Sequence, residues 1–268
     1  MVQIPTASAN LSSEELSALA VRPDGKFVIS YFSAHGVALT TRALLCVAGA
    51  DWEDNMIPLE PWSAEHKAMF PYGTVPVLHE QFPNGQVFEI GEVAAIEKYI
   101  AQKLHMVPES LWNQVRHNEA LSLSESLLRM WIIRASPHMD HNAHVGTLEL
   151  LKTRTLPEYI QVMVKLLIKN GNNGKLVGDK FTHADVFTSA VLDCMISMRP
   201  LKEVLNKETA PGLFKLKSLV DAHPKYSAYR KSEAYAVASE GMSKYFSQAV
   251  FDFDFDFDFA RNFNLAEE

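Results

Sequence analysis

The chain has 268 residues, 47% of them hydrophobic, enough for one large domain or two modest ones with a proper core. A net charge of −7 and a pI near 5.8 leave no basic face to neutralise phosphates, which argues against nucleic acid or an anionic membrane as partner. No run approaches the roughly 20 apolar residues of a spanning helix, and the N-terminus lacks the basic start of a signal peptide. Cys46 and Cys194 sit singly in apolar runs, as small buried hydrophobes rather than a disulfide or metal set. The expected compartment is the reducing cytoplasm.

Residues 1–25 are polar and read as a loose N-terminal arm. KFVISYF (26–32) is β-branched and aromatic, a strand. ALTTRALLCVAGA (38–50) carries apolar residues at helical spacing and closes on Gly49, a helix with its C-cap. WEDNMIPL supplies a second strand. TVPVLHE and QVFEI flank Asn84–Gly85, a hairpin turn signal. EVAAIEKYIAQKL (92–104) is a strong helix. This order makes residues 26–105 an α/β unit with a mixed sheet. Within it, YGTVPVL (72–78) is an apolar run interrupted by Pro76, which has no N–H for a ladder. Either the Val75–Pro76 bond is cis, turning the Val75 backbone outward toward an extended ligand, or the strand begins at Pro76.

From Leu111 to about 245 only helical periodicity remains, in LWNQVRHNEALSLSESLLRMWIIRA, LELLKTRTLPEYIQVMVKLLIKN, HADVFTSAVLDCMISM and LFKLKSLVDAHPKYSAYRKS. Residues 111–245 are therefore expected to form an all-helical domain of five or six helices. No fixed repeat appears, which argues against a solenoid. HMDHNAH (138–144) places three histidines in seven residues, but Asp140 is its single acidic companion and an interhelical loop its expected setting, so no metal is expected. Thr182 and Asp185 fit a capping box before the HADVF helix, a structural role in which His183 is incidental.

Four stretches, spread from about residue 26 to 235, resemble the cytosolic glutathione transferases of the tyrosine type (alpha, mu, pi, sigma), with the pattern nearest to sigma. ISYFSAHGVALTTRALL is similar to the family's strand–turn–helix opening, PYGTVPVL to its cis-proline strand, GEVAAIEKYIA to its glutamyl-binding turn and helix, and LVGDKFTHADV to its capping box. The resemblance implies a thioredoxin-like N-terminal domain followed by an all-α domain, glutathione as co-substrate and a homodimer. It implies that the Tyr31 hydroxyl hydrogen-bonds the glutathione sulfur; taken alone, such a tyrosine is more often a core residue at a strand end. It also implies that the Val75 backbone before Pro76 pairs with the cysteinyl part. Thr74 stands where many members have glutamine. Lys67 matches a lysine that meets the glycine carboxylate, against the ordinary reading of a solvated surface lysine. Trp62 lies one residue off a tryptophan of similar role, and Glu92 is placed to accept the glutamyl ammonium. Arg42 matches a mostly structural arginine.

Two departures stand out. Val93 replaces the Ser or Thr whose hydroxyl helps hold the glutamyl carboxylate, leaving its backbone N–H. His35 and Val37 stand where some members carry arginine. The resemblance thus implies conjugation of glutathione thiolate to a small apolar electrophile, with an acceptor site between domains lined by residues of SLLRMWIIRA. The rival readings are a catalytically weakened binding or structural protein of the same fold, and a glutathione-dependent isomerase or biosynthetic enzyme. The tail VFDFDFDFDFARNF (250–263, within the segment 246–268) lies outside the resemblance. Phe and Asp alternate strictly, so an extended backbone would put five rings on one face and four carboxylates on the other. Docking of that face onto an apolar surface is expected, against a solvated tail.

Overall fold

The computed structural model describes residues 4–59, 63–134 and 141–247. Its first element is a finding the polarity of the arm concealed. Helix α1 (Ser13–Ala20) is started by a reciprocal capping box in which Ser12 accepts from the Glu15 N–H and Glu15 accepts from the Ser12 N–H. Leu19 then packs with Phe82 and Phe88, and Ser8 bonds both backbone groups of Val87. The arm is tied to the sheet edge rather than loose.

The α/β unit follows in order: β1 (Lys26–Phe32), α2 (Ala38–Val47), β2 (Trp52–Ile57), the short α3 (Ala64–Ala68), β3 (Val77–Gln81), β4 (Val87–Gly91) and α4 (Val93–Lys103). The sheet order is β2-β1-β3-β4, with β1 parallel to β2 and antiparallel to β3, and β3 antiparallel to β4. Helix α2 is buried along its whole length, which explains its nearly continuous run of apolar and small residues. The hairpin turns where Asn84–Gly85 predicts, with Gly85 at φ +84. The Val75–Pro76 bond is cis, and β3 starts one residue later, so the proline stands outside the ladder.

The remainder is helical: α5 (Leu111–Arg134), α6 (His141–Leu150), a π turn at Leu151–Thr155, α7 (Leu156–Lys169), α8 (His183–Ser197), α9 (Pro211–Asp221), α10 (Pro224–Arg230) and α11 (Glu233–Ser247). Among the described residues these seven helices exceed the expected five or six because Pro224 and the Lys231–Ser232 break divide the last run into three, with Pro211 and Pro224 at first helical turns. All fifteen residues of α8 are buried. The Asp185 carboxylate accepts from the Thr182 N–H and hydroxyl and from the Leu176 N–H, and the His183 N–H reaches the Met106 carbonyl, which fixes the start of α8. This architecture is a thioredoxin-like N-terminal domain joined to an all-α domain, with a core that runs continuously from the sheet through α2 into α8.

Candidate functional site

Sheet register gathers the site. Ser30, Val77 and Gly91 form one cross-strand row. One residue beyond it, at the same end of the sheet, stand Tyr31 on β1, Pro76 before β3 and Glu92 after β4. Neighbouring strands lie about 4.8 Å apart, so residues separated by up to 61 positions in sequence meet along a short crest.

Tyr31 shares its sheet face with Phe27 and Ile29, the face toward α2 and the helical domain. Its hydroxyl accepts the Val37 N–H, and burial raises its pKa against the opposing pull of that bond and of Arg42. The phenol therefore stays protonated, and its own hydrogen remains available to a further acceptor. The Arg42 guanidinium lies 5.7 Å from the centre of the Tyr31 ring. Fully buried, Arg42 donates to the Ala34 and Phe32 carbonyls and pairs with Asp54, whose other oxygen takes the Tyr229 hydroxyl of α10 at 3.3 Å. One cation thus closes the turn after β1. Gly36, at φ +43, is required there, because a Cβ would stand 2.4 Å from the Tyr31 oxygen.

Helix α11 clamps this turn from the other side. A Cβ on Gly241 would lie 1.6 Å from the Ser33 carbonyl, Met242 Sδ accepts the Gly36 N–H at 3.2 Å, and His35 Nε2 sits 2.9 Å from Ser239 Oγ. His35 also lies against Tyr235, ring centres 4.4 Å apart. Burial, Arg42 and Arg230 hold its pKa well below the usual histidine value, so it is neutral and turned away from the crest. It cannot do the work of an arginine near a thiolate. One turn beyond Met242, Tyr245 stands close enough to Tyr31 to raise the phenol pKa.

The other side of the crest is open. Among the described residues, the Val75 N–H and C=O meet no hydrogen-bond partner, and neither do the Val93 and Ala94 N–H groups at the start of α4. Glu92 has φ +69, a strained value for a residue with a side chain, and its carboxylate is exposed. Lys67, in the last turn of α3, is exposed and has no partner among the described residues, its stem lying along Gly73. Thr74 is exposed, and the Tyr72 ring covers Gly91 while remaining 67% exposed. Trp62 lies outside the described residues, as do the histidine-rich stretch at 138–140 and the tail from 248 onward. Among the described residues no group of three metal-ligating side chains occurs, and no helix is long and apolar enough to cross a membrane. Of the SLLRMWIIRA residues, Leu127, Leu128 and Trp131 are core, and Met130 and Ile132 are half-buried.

Sequence reasoning missed two arrangements. The α11 clamp had one visible signal, Gly241 within a helical run, since an interior helical glycine often marks close backbone approach. The second is a buried polar knot: Thr40 and Thr41 of α2 donate to Glu97 of α4, whose second oxygen lies 3.0 Å from His183 Nε2 of α8. His183 is therefore not incidental. It joins the two halves of the molecule.

The site thus combines a cis-proline α/β unit, with unpaired backbone beside the proline, and an all-helical domain packed on the same sheet. The profile described as glutathione S-transferase, C-terminal domain, matches residues 135–233. The chain is 29% identical over 174 residues to the glutathione S-transferase class-mu 28 kDa isozyme of Schistosoma mansoni, covering 62% of this chain and 76% of that one. It is 26% identical over 209 residues to S-crystallin SL11 of Nototodarus sloanii, covering 76% and 95%. Among solved structures it resembles the Fasciola hepatica sigma class transferase, with a TM-score of 0.68 and 22% identity over 78% of this chain and 96% of that one. Over most of its length the chain is thus similar to glutathione S-transferases, in sequence and in fold.

Proposed function

We propose that this protein conjugates the glutathione thiolate to a small apolar electrophile, with Tyr31 as the catalytic residue. A free thiol has a pKa of roughly 8.5, and a hydrogen bond to a charged acceptor is worth about 1.5–3 kcal/mol, or one to two pKa units. The protonated Tyr31 hydroxyl, already held by Val37, supplies such a bond to a sulfur at the crest. The unpaired Val75 N–H and C=O would pair with the cysteinyl backbone. Lys67 and Trp62 would meet the glycine end, and Thr74 would touch the peptide. The Val93 N–H, at the positive end of α4, would take the glutamyl carboxylate and Glu92 the ammonium. The acceptor would lie beside Tyr245 and the half-buried residues of α5, and two copies would form the homodimer usual in the family. The domains would divide as the pattern of the sequence does, at 26–105 and 111–245. The single observation carrying this reading is that Tyr31, Val75 and the start of α4 share one end of the sheet with their hydrogen-bonding groups available.

A second reading is a fold retained for binding or structure with weak turnover. Val93, lacking a hydroxyl, points that way. A glutathione-dependent isomerase remains the third. Titration with glutathione, followed by turnover of an aryl halide in wild type and Tyr31→Phe, separates them. Binding with tyrosine-dependent turnover supports conjugation; binding with no turnover of any electrophile supports the second reading.

A further inference from the structure

We infer that the same groove takes the chain's own C-terminal segment, Phe251–Phe259, as an extended acidic and aromatic peptide that competes with glutathione. The inference rests on the glutathione reading above and adds a second ligand class to that groove.

The first ground is where the chain leaves the described structure. Helix α11 lies on the turn after β1 through Gly241 and Met242 and brings Tyr245 within electrostatic reach of Tyr31. Its last residue, Ser247, is two positions further on, and residues 248–268 follow. Tyr31 and Pro76 each stand one residue beyond the paired Ser30 and Val77 of neighbouring strands, about one strand spacing apart. An extended chain advances roughly 3.3 Å per residue, so Phe251 and its successors are within reach of Val75 without any rearrangement of α11.

The second ground is chemical likeness. Glutathione is an extended peptide with a carboxylate at each end of a short, weakly polar centre. Alternating Asp and Phe give carboxylates at every second position, roughly 7 Å apart, on a backbone able to pair with the free Val75 groups. Lys67 is available for one carboxylate, and Met69 and Tyr72, 51% and 67% exposed, offer apolar rim for phenyl rings. Glu65 and Glu92 are exposed at the same rim and oppose the aspartates, so the segment binds weakly on its own. Tethering compensates: a short linker holds it at an effective concentration on the order of 1 mM. A segment with an intrinsic Kd of about 0.1–1 mM would then weaken apparent glutathione binding about twofold to tenfold.

A rival surface exists at the far end of α8, a cleft of about 310 Å3 floored by Ile196, Leu205 and Phe214 with Lys202 and Lys207 on its rim. It offers no unpaired strand backbone and does not adjoin the exit of α11. The test compares full-length protein, protein ending at Ser247, and the full-length triple variant Phe253→Ser, Phe255→Ser, Phe257→Ser. The readouts are the calorimetric Kd for glutathione and the effect of a synthetic 250–260 peptide. Both altered proteins should bind glutathione twofold to tenfold more tightly than wild type. The added peptide should compete with glutathione in each of them and bind several-fold more weakly after Lys67→Ala. Equal Kd values in all three proteins, or peptide binding that leaves glutathione affinity unchanged, as expected for the α8 cleft, would overturn the inference. If no form binds glutathione, the transferase reading fails instead. Direct peptide titration with and without Lys67→Ala then still decides this one, and loss of the Lys67 dependence refutes it.

Discussion

Tyr31 and Val75 lie one strand apart, yet the molecule holds them in opposite ways. Around Tyr31 every neighbour is committed: Val37 bonds its hydroxyl, Arg42 underlies its ring, Gly36 leaves no space, and α11 presses on the turn from the helical domain. At Val75, half-buried beside exposed Thr74, the backbone N–H and C=O meet no partner among the described residues. The thiol end therefore draws its geometry from the whole fold, whereas the peptide end waits for a ligand to complete its hydrogen bonds. Preorganised groups matter most where charge develops; a ligand that supplies its own backbone partners needs only a free edge.

This contrast can be broken most violently at Asp54. Asp54→Asn leaves the buried Arg42 without its counter-charge and should cost about 3–5 kcal/mol by denaturant unfolding, while Lys67→Ala should leave stability within about 0.5 kcal/mol. Equal effects would mean that the two ends are braced alike. Tyr31→Phe should lower kcat by about tenfold or more, roughly 1.4–3 kcal/mol, with little change in glutathione Kd, because the hydroxyl acts on sulfur and not on the peptide. Unaltered turnover would remove Tyr31 from the mechanism.

Acid should destabilise the fold through its buried histidines. Burial and two arginines depress the pKa of His35, and burial with His183 pushes His117 down to about 4. For each, the unfolded chain takes up a proton before the folded one does. The stability they contribute is complete above about pH 6.5 and is lost as pH falls toward 4, at up to about 1.4 kcal/mol per unit per group. Unfolding measured at pH 7 and pH 5 should show a smaller difference in His35→Gln than in wild type; an identical slope would place the acid sensitivity elsewhere. The gentlest test is Val93→Ser, which restores a hydroxyl at the open end and should tighten glutathione by about 0.5–1.5 kcal/mol in calorimetry. No change would mean that the groove has settled around valine.

The strands, the hairpin, α2, α4 and the cis bond were legible because each carries a local signal: β-branched runs, Asn84–Gly85, Gly49, and a proline where a ladder donor is due. Tyr31, Val75 and Glu92 could be brought together only through register and a family pattern, since nothing local says that they share one end of a sheet. The clamp by α11 and the Asp54–Tyr229 contact were illegible, because they depend on how two domains dock. His183, read as incidental, misled for the same reason, and the burial of His35 was equally hidden. A turn histidine and a helix-start histidine look solvent-facing in sequence, and docking buries both. Helix α1 was hidden by polarity, although Ser12 and Glu15 had the spacing of a capping box.

The turn after β1 also provides its own reporters. The Gly36 amide hydrogen is held by Met242 of α11, and the next one, on Val37, by the phenol oxygen of Tyr31. Hydrogen exchange at these adjacent positions reads separate events. Slow exchange at residue 36 records that α11 is seated, and slow exchange at residue 37 records that the phenol is in place. A variant or ligand that unseats the helix without moving the tyrosine would speed the first and spare the second. Two neighbouring amide signals in one spectrum would then resolve domain docking from catalytic alignment, with no substrate present.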